Sequence, residues 1–176
     1  MTQPILLLAA LLLAAPAFAQ PPDPKPQAAR ILTSDEFAQT LAAHKGAVVV
    51  VHFWATWCQP CLGELPLLAK LAEKYRPEGV VFLPFSLDDP TPKQAAHVAR
   101  ILRAKVRDAA FSPILSLEPS PRFLARWLPD WEGEIPAFFV FDPAQRLRGA
   151  HIGNIFPGDF HALVKAGRAD YSSGSP

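Results

Sequence analysis

Only two cysteines occur in the 176 residues, Cys58 and Cys61, and both lie in the string Phe53-Trp54-Ala55-Thr56-Trp57-Cys58-Gln59-Pro60-Cys61. A thiol pair separated by two residues can close into a small disulfide ring and open again, so the chemistry on offer is thiol–disulfide exchange. Apolar, β-branched Val48 to Val51 run into the string, and a segment with helical spacing follows it. That order puts Cys58 where a strand gives way to a helix. Free backbone N–H groups at a helix N-terminus carry partial positive charge and favour thiolate over thiol. Cys61 falls one turn further in, placed to close the ring.

Two other uses of the pair lack their usual pattern. A structural disulfide across so short a loop would restrict the unfolded chain little. Structural zinc takes four ligands, typically with a second Cys pair or a His pair at short spacing. There is no further cysteine, and His44, His97, His151 and His161 are scattered.

The elements that must hold the string follow from periodicity. Thr33 and Glu36 stand at capping-box spacing and open a helix with Phe37, Ala38 and Leu41 inward, ending at Gly46. Residues 47–53 form a strand. Leu62, Leu65, Leu68, Leu71 and Ala72 recur at three and four residues, predicting a helix over 58–75 that Pro66 should kink. Residues 80–87 are nearly all apolar, as in a buried central strand. Asp88-Asp89-Pro90 reads as a turn, and 92–105 as a helix with Ala95, Val98, Ala99, Ile101 and Leu102 inward. Its Arg100, Arg103 and Lys105, with Arg107 beyond, read as a solvated face. Residues 111–117 are ambiguous between strand and loop, and 122–128 read as a short helix. Strands at 137–142 and 147–152, with a turn at Pro143-Ala144, precede a last helix over 157–165 closed by Gly167. Alternating strands and helices predict an α/β domain with a central mixed sheet flanked by helices.

Lys and Arg number 17 against 16 Asp and Glu, so no basic field for nucleic acid exists. Half of the residues are hydrophobic, enough for a buried core. Ile5 to Ala15 is an apolar run followed by Pro16 and Ala17-Phe18-Ala19, a signal-peptide pattern with cleavage before Gln20, although no Lys or Arg precedes the run. The run is shorter than the ~20 residues of a membrane span; left uncleaved, it would anchor the domain. Residues 1–19 are thus read as signal peptide, 20–27 as a proline-rich linker, 28–167 as the domain and 168–176 as a disordered tail. Export implies an oxidising compartment in which a reactive dithiol depends on a dedicated partner.

The string Phe53 to Cys61, with Glu64 and Pro66 after it, resembles the thioredoxin superfamily, and within it the TlpA/ResA-like periplasmic thiol–disulfide oxidoreductases. The resemblance spans residues 28–167 and is weak between 88 and 128. It implies a thioredoxin-like fold, with Cys58 as attacking thiolate and Cys61 as resolving thiol. It implies that Gln59 and Pro60 tune the thiolate–disulfide balance. Ile135-Pro136 matches the family's cis-proline, which faces the disulfide and leaves a backbone edge at Ile135 for a substrate strand. Glu64 matches a family glutamate thought to act on cysteine protonation. His52 departs from the pattern, standing where thioredoxins carry a buried Asp and the TlpA branch often an Asn. Alternation with Val48 and Val50 points it beneath the motif, where an imidazole could move a proton to or from Cys61 or serve only as a neutral core residue. Trp57 is expected beside Cys58 at the surface, contacting partners, with Trp54 packed inside. Trp127 and Trp131 read as core or lid residues. Glu132 and Glu134 would make the groove acidic and select partners by charge.

These features predict a periplasmic reductase of protein disulfides, of the cytochrome c maturation or copper-site assembly type. It would act as a monomer without cofactor or resident metal, on cysteine-containing client proteins, with electrons from a membrane thiol donor. A disulfide oxidase or isomerase, and a copper(I)-handling chaperone using both thiolates and a histidine, are the alternatives.

Overall fold

In chain order the elements are β1 (Arg30–Leu32), α1 (Ser34–Ala42), β2 (Val48–Trp54), α2 (Gln59–Tyr75), a 3₁₀ turn, β3 (Val80–Ser86), α3 (Pro92–Lys105), β4 (Ile114–Ser116), β5 (Ala137–Phe141), β6 (Leu147–Ile152) and α4 (Pro157–Arg168). The structure is a computed structural model that describes residues 29–106, 114–116 and 130–169. The apolar leader, the proline-rich segment, Arg107, most of 111–117, the helix expected over 122–128 with Trp127, and the C-terminal tail lie outside the described residues.

The strands form one sheet in the order β1-β4-β3-β2-β5-β6. β2 runs parallel to β3 and antiparallel to β5, so the sheet is mixed, as expected. All seven residues of β2 are buried, which is why its sequence is apolar on both alternating sets rather than one. Val49, Val51 and Phe53 face a core containing Phe37, Phe85, Phe139 and Trp131. Val48 and Val50 face the opposite core, built from Leu68, Tyr75, Phe138 and Phe160. A third cluster, with Trp54, Leu65, Val98, Leu102 and Leu115, surrounds the two cysteines. The sheet is thus covered on both faces, and β2 delivers its C-terminal end to the motif.

Three elements differ from the sequence-based expectation. β1 was not anticipated: it is three residues long and pairs only with β4, too short for periodicity to register. α1 has the anticipated capping box, with Thr33 N–H donating to Glu36 Oε2 at 2.8 Å, but stops at Ala42. Gly46 sits beyond it at φ 96°, its N–H donating to the Pro143 carbonyl at 2.9 Å. α2 continues to Tyr75, as expected, with the exposed Pro66 inside it. Gly167 does not close α4 but lies within it: a Cβ there would stand 2.7 Å from methyls of both Val48 and Val140. The helix rests directly on the sheet, and only hydrogen fits between them.

Candidate active site

β2 ends at Trp54, and the turn at residues 55–57 hands the chain to α2. Cys58 is the N-cap, with extended backbone (φ −88°, ψ 98°), and its Sγ accepts the Cys61 N–H at 3.3 Å. The sulfur therefore occupies the place of a capping oxygen, facing the positive end of the helix. Cys58 and Cys61 are joined as a disulfide. Their burial is unequal: Cys58 keeps 6% of its surface, and Cys61 none.

The turn before Cys58 is held from beneath by Asp88, which the sequence had offered only as part of a turn. This carboxylate is 3% exposed. Its Oδ2 accepts the Thr56 N–H at 2.8 Å and the Ser86 hydroxyl at 2.6 Å. Its Oδ1 accepts the Thr56 hydroxyl at 2.6 Å and the Gln94 side-chain amide at 2.8 Å. One buried group thereby ties β3 and α3 to the residues immediately preceding the reactive sulfur. Nothing in Asp88-Asp89-Pro90 separates a buried carboxylate from an exposed turn residue; only the fold does.

The Ile135–Pro136 peptide is cis, as the resemblance implied. Ile135 packs against the cluster containing both cysteines, and the Pro136 carbonyl accepts the Gly153 N–H at 2.8 Å. Trp131 donates its indole N–H to the Glu134 carbonyl at 3.0 Å and packs on Phe53, fixing the approach to the proline from the core side.

Below the disulfide, His52 and Glu64 meet. Both are buried, and His52 Nε2 stands 3.1 Å from Glu64 Oε1. The contact is too bent to be a well-formed hydrogen bond. Glu64 Oε2 accepts the Ile155 N–H at 3.3 Å, tying α2 to the loop before α4. The His52 ring stacks on Phe138, with centroids 4.5 Å apart and planes 7° apart, and more loosely on Phe82. Burial pushes the imidazole below its ordinary pKa of 6.5, with the neighbouring Glu64 offsetting part of the shift. One donor atom from each of His52, Glu64 and Cys61 falls within 4.8 Å of the others. Sequence reasoning placed each residue near the motif but did not foresee that the first two touch.

The remaining candidates lie further out. Trp57 is 65% exposed beside Cys58, as expected, while Trp54 is fully buried. Gln59 and Pro60 are exposed on the first turn of α2. Glu132 and Glu134 are exposed, and the Glu134 carboxylate accepts the Glu132 N–H at 3.2 Å. The loop tied to Glu64 presents Phe156, 67% exposed. A sulfur capping a helix N-terminus, a fully buried second sulfur and an adjacent imidazole–carboxylate pair together permit two-electron exchange between a dithiol and a disulfide.

Known proteins resemble this chain in sequence and in fold. The thiol–disulfide oxidoreductase ResA of Oceanobacillus iheyensis is 39% identical over 54 residues, 31% of this chain and 28% of that protein. The thioredoxin-like protein YneN of Bacillus subtilis is 41% identical over 56 residues, 31% of this chain and 33% of that protein. The chain therefore matches a third or less of the length of these curated relatives. A solved structure of a putative thiol:disulfide interchange protein DsbE from Chlorobium tepidum aligns with TM-score 0.54 and 26% identity, over 72% of this chain and 81% of that one. The sequence pattern of the Redoxin family matches residues 14–155, most of the chain. With the thioredoxin-like sheet and its disulfide at the head of α2, this chain belongs to the Redoxin family.

Proposed function

We propose that the protein is an extracytoplasmic thiol–disulfide oxidoreductase that reduces disulfides in cysteine-containing client proteins. The observation that carries the reading is the asymmetry of the pair: Cys58 caps the helix and keeps a small exposed edge, and Cys61 lies wholly inside. In the reduced protein the Cys58 thiolate attacks one sulfur of a client disulfide. The client's S–S bond breaks, its other sulfur leaves as thiolate and takes a proton, and a mixed disulfide joins Cys58 to the client. Cys61 then loses its proton and attacks Cys58 Sγ, releasing the second client thiol and closing the Cys58–Cys61 bond. Two electrons and two protons pass to the client. A membrane thiol donor restores the dithiol.

His52 and Glu64 are assigned to the second step. Cys61 has no direct access to solvent, so its proton must leave through the protein; burial keeps the imidazole neutral with a lone pair free, and the adjacent Glu64 favours the imidazolium that forms when it takes the proton. Pro136 and Ile135 seat the client's backbone, while Trp57, Gln59 and Pro60 meet its surface; Glu134 stands at the edge as a charge that discriminates between clients. The reductive direction is supported by the resemblance of Gln59-Pro60, Glu64 and the acidic pair Glu132 and Glu134 to reducing members of the TlpA/ResA-like branch. Location outside the cytoplasm is supported by the signal-like leader and the Ala17-Phe18-Ala19 site. No helix among the described residues is long and apolar enough to cross a membrane. Equilibration of the protein lacking residues 1–19 against a dithiothreitol couple tests the direction. A potential near the thioredoxin level of about −270 mV is expected, and one near about −120 mV would make the protein an oxidase instead.

A further inference from the structure

The cluster beneath the disulfide holds more polar chemistry than a proton transfer needs. Both His52 ring nitrogens and Glu64 Oε1 are buried without a well-directed hydrogen bond to any described residue. Unsatisfied buried polar atoms are costly, so three at one place ask for a partner. They converge on sulfur: His52, Glu64 and Cys61 each contribute a donor atom to a group no wider than 4.8 Å, and the His52–Glu64 contact is 3.1 Å. Imidazole, carboxylate and thiolate are the ligands of tetrahedral zinc, with bonds of about 2.0–2.3 Å that set neighbouring donors about 3–4 Å apart. Cys58 Sγ lies outside that group but is bonded to Cys61 Sγ, so after reduction a rotation of the Cys58 side chain supplies the fourth donor. Glu64 Oε2 is oriented by the Ile155 N–H, and the His52 ring is fixed by Phe138, supports of the kind that hold ligands in place. The sequence hid this set, because no second Cys or His pair lies at short spacing.

We propose that the reduced protein binds one Zn²⁺ through Cys58, Cys61, His52 and Glu64, and that closing the disulfide abolishes the site. The proposal rests on the exchange reading only in requiring that the disulfide can be opened. A reductant delivers two electrons and two protons to the disulfide, giving two thiols. Zn²⁺ then displaces both thiol protons to solvent as two Zn–S bonds form. In the reverse direction, a disulfide oxidant takes two electrons from the two thiolates, leaves as a dithiol after gaining two protons, and Zn²⁺ is released. Zinc suits the set better than copper(I), because copper(I) favours sulfur donors and would leave the carboxylate unused. Bound zinc would also withhold both thiolates from clients until it is removed.

The test is titration of the full chain with Zn²⁺ against a chromophoric chelator, after reduction by a phosphine and, separately, in the disulfide form. Co²⁺ serves as a second probe, reporting thiolate, nitrogen and oxygen ligation through its absorption bands. One Zn²⁺ per reduced chain and none per oxidised chain are expected. His52→Asn and Glu64→Gln should each weaken binding at least tenfold and alter the Co²⁺ spectrum. Cys58→Ser, a nearly isosteric change, should do the same. No binding to the reduced chain, equal binding in both redox forms, binding of copper(I) alone, or affinities and spectra indifferent to His52 and Glu64 would each overturn the proposal. Exchange with glutathione disulfide in the presence of a chelator is measured in parallel. A chain that exchanges but binds no zinc refutes only the metal site, and one that binds zinc but does not exchange refutes only the redox function.

Discussion

At the residue scale, the burial of His52 has a thermodynamic consequence. The folded protein resists protonating the imidazole, whereas the unfolded chain accepts a proton near the ordinary value of 6.5. Below that pH the unfolded state binds more protons, so stability falls as pH drops, by up to about 1.4 kcal/mol per pH unit for one group. His44 is shifted in the same direction by burial, so the informative quantity is the difference from a His52→Asn variant. Urea unfolding at about pH 5 and about pH 7.5 should show a steeper pH dependence in the parent than in the variant. Equal dependence would mean that His52 is not held neutral by the fold. The position of this histidine under the motif was legible from strand alternation with Val48 and Val50. Its contact with Glu64 was not, because that depends on how α2 lies across β2.

At the scale of elements, two joints carry the site. Asp88 accepts four hydrogen bonds from Thr56, Ser86 and Gln94, and so fixes the turn that presents Cys58. Asp88→Ala strips the partners from buried donors and should cost about 1–3 kcal/mol. It should also slow exchange at Cys58, since the turn is no longer held; unfolding titrations and thiol trapping measure the two effects. An unchanged exchange rate would make Asp88 purely structural. The second joint is α4 against the sheet. Gly167→Ala places a methyl 2.7 Å from Val48 and Val140, so α4 must lift or β2 and β5 must shift. About 1–3 kcal/mol of destabilisation is expected by thermal or urea unfolding. The packing role of both joints was illegible in the sequence for the same reason. An Asp before Asp-Pro and a Gly near a helix end have common local explanations, a turn and a cap. The packing that gives them different work joins residues far apart in the chain.

At the scale of the molecule, the long apolar patterns were sufficient for architecture. β2, α2, β3, α3, β5, β6 and α4 follow from periodicity and punctuation, and a mixed sheet covered on both faces follows from their order. The three-residue β1 escaped because its existence depends on β4 alongside it. The folded molecule leaves large apolar side chains uncovered at Trp57, Ile152 and Phe156, two of them flanking the loop tied to Glu64. These side chains suit contact with a protein client rather than a small thiol. Trp57→Ser and Phe156→Ser should leave stability within about 0.5 kcal/mol. They should slow reduction of a protein disulfide several-fold while leaving reaction with glutathione disulfide unchanged. Equal slowing of both substrates would place these residues in the chemistry instead of in recognition. The most direct test of the whole arrangement is the division of labour between the sulfurs. Reduced Cys61→Ser and Cys58→Ser proteins are each exposed to glutathione disulfide, and the adduct is followed by intact mass. Cys61→Ser is expected to accumulate a stable mixed disulfide at Cys58, and Cys58→Ser to react far more slowly through the buried Cys61. Equal rates in the two variants would contradict the assignment of Cys58 as the attacking sulfur.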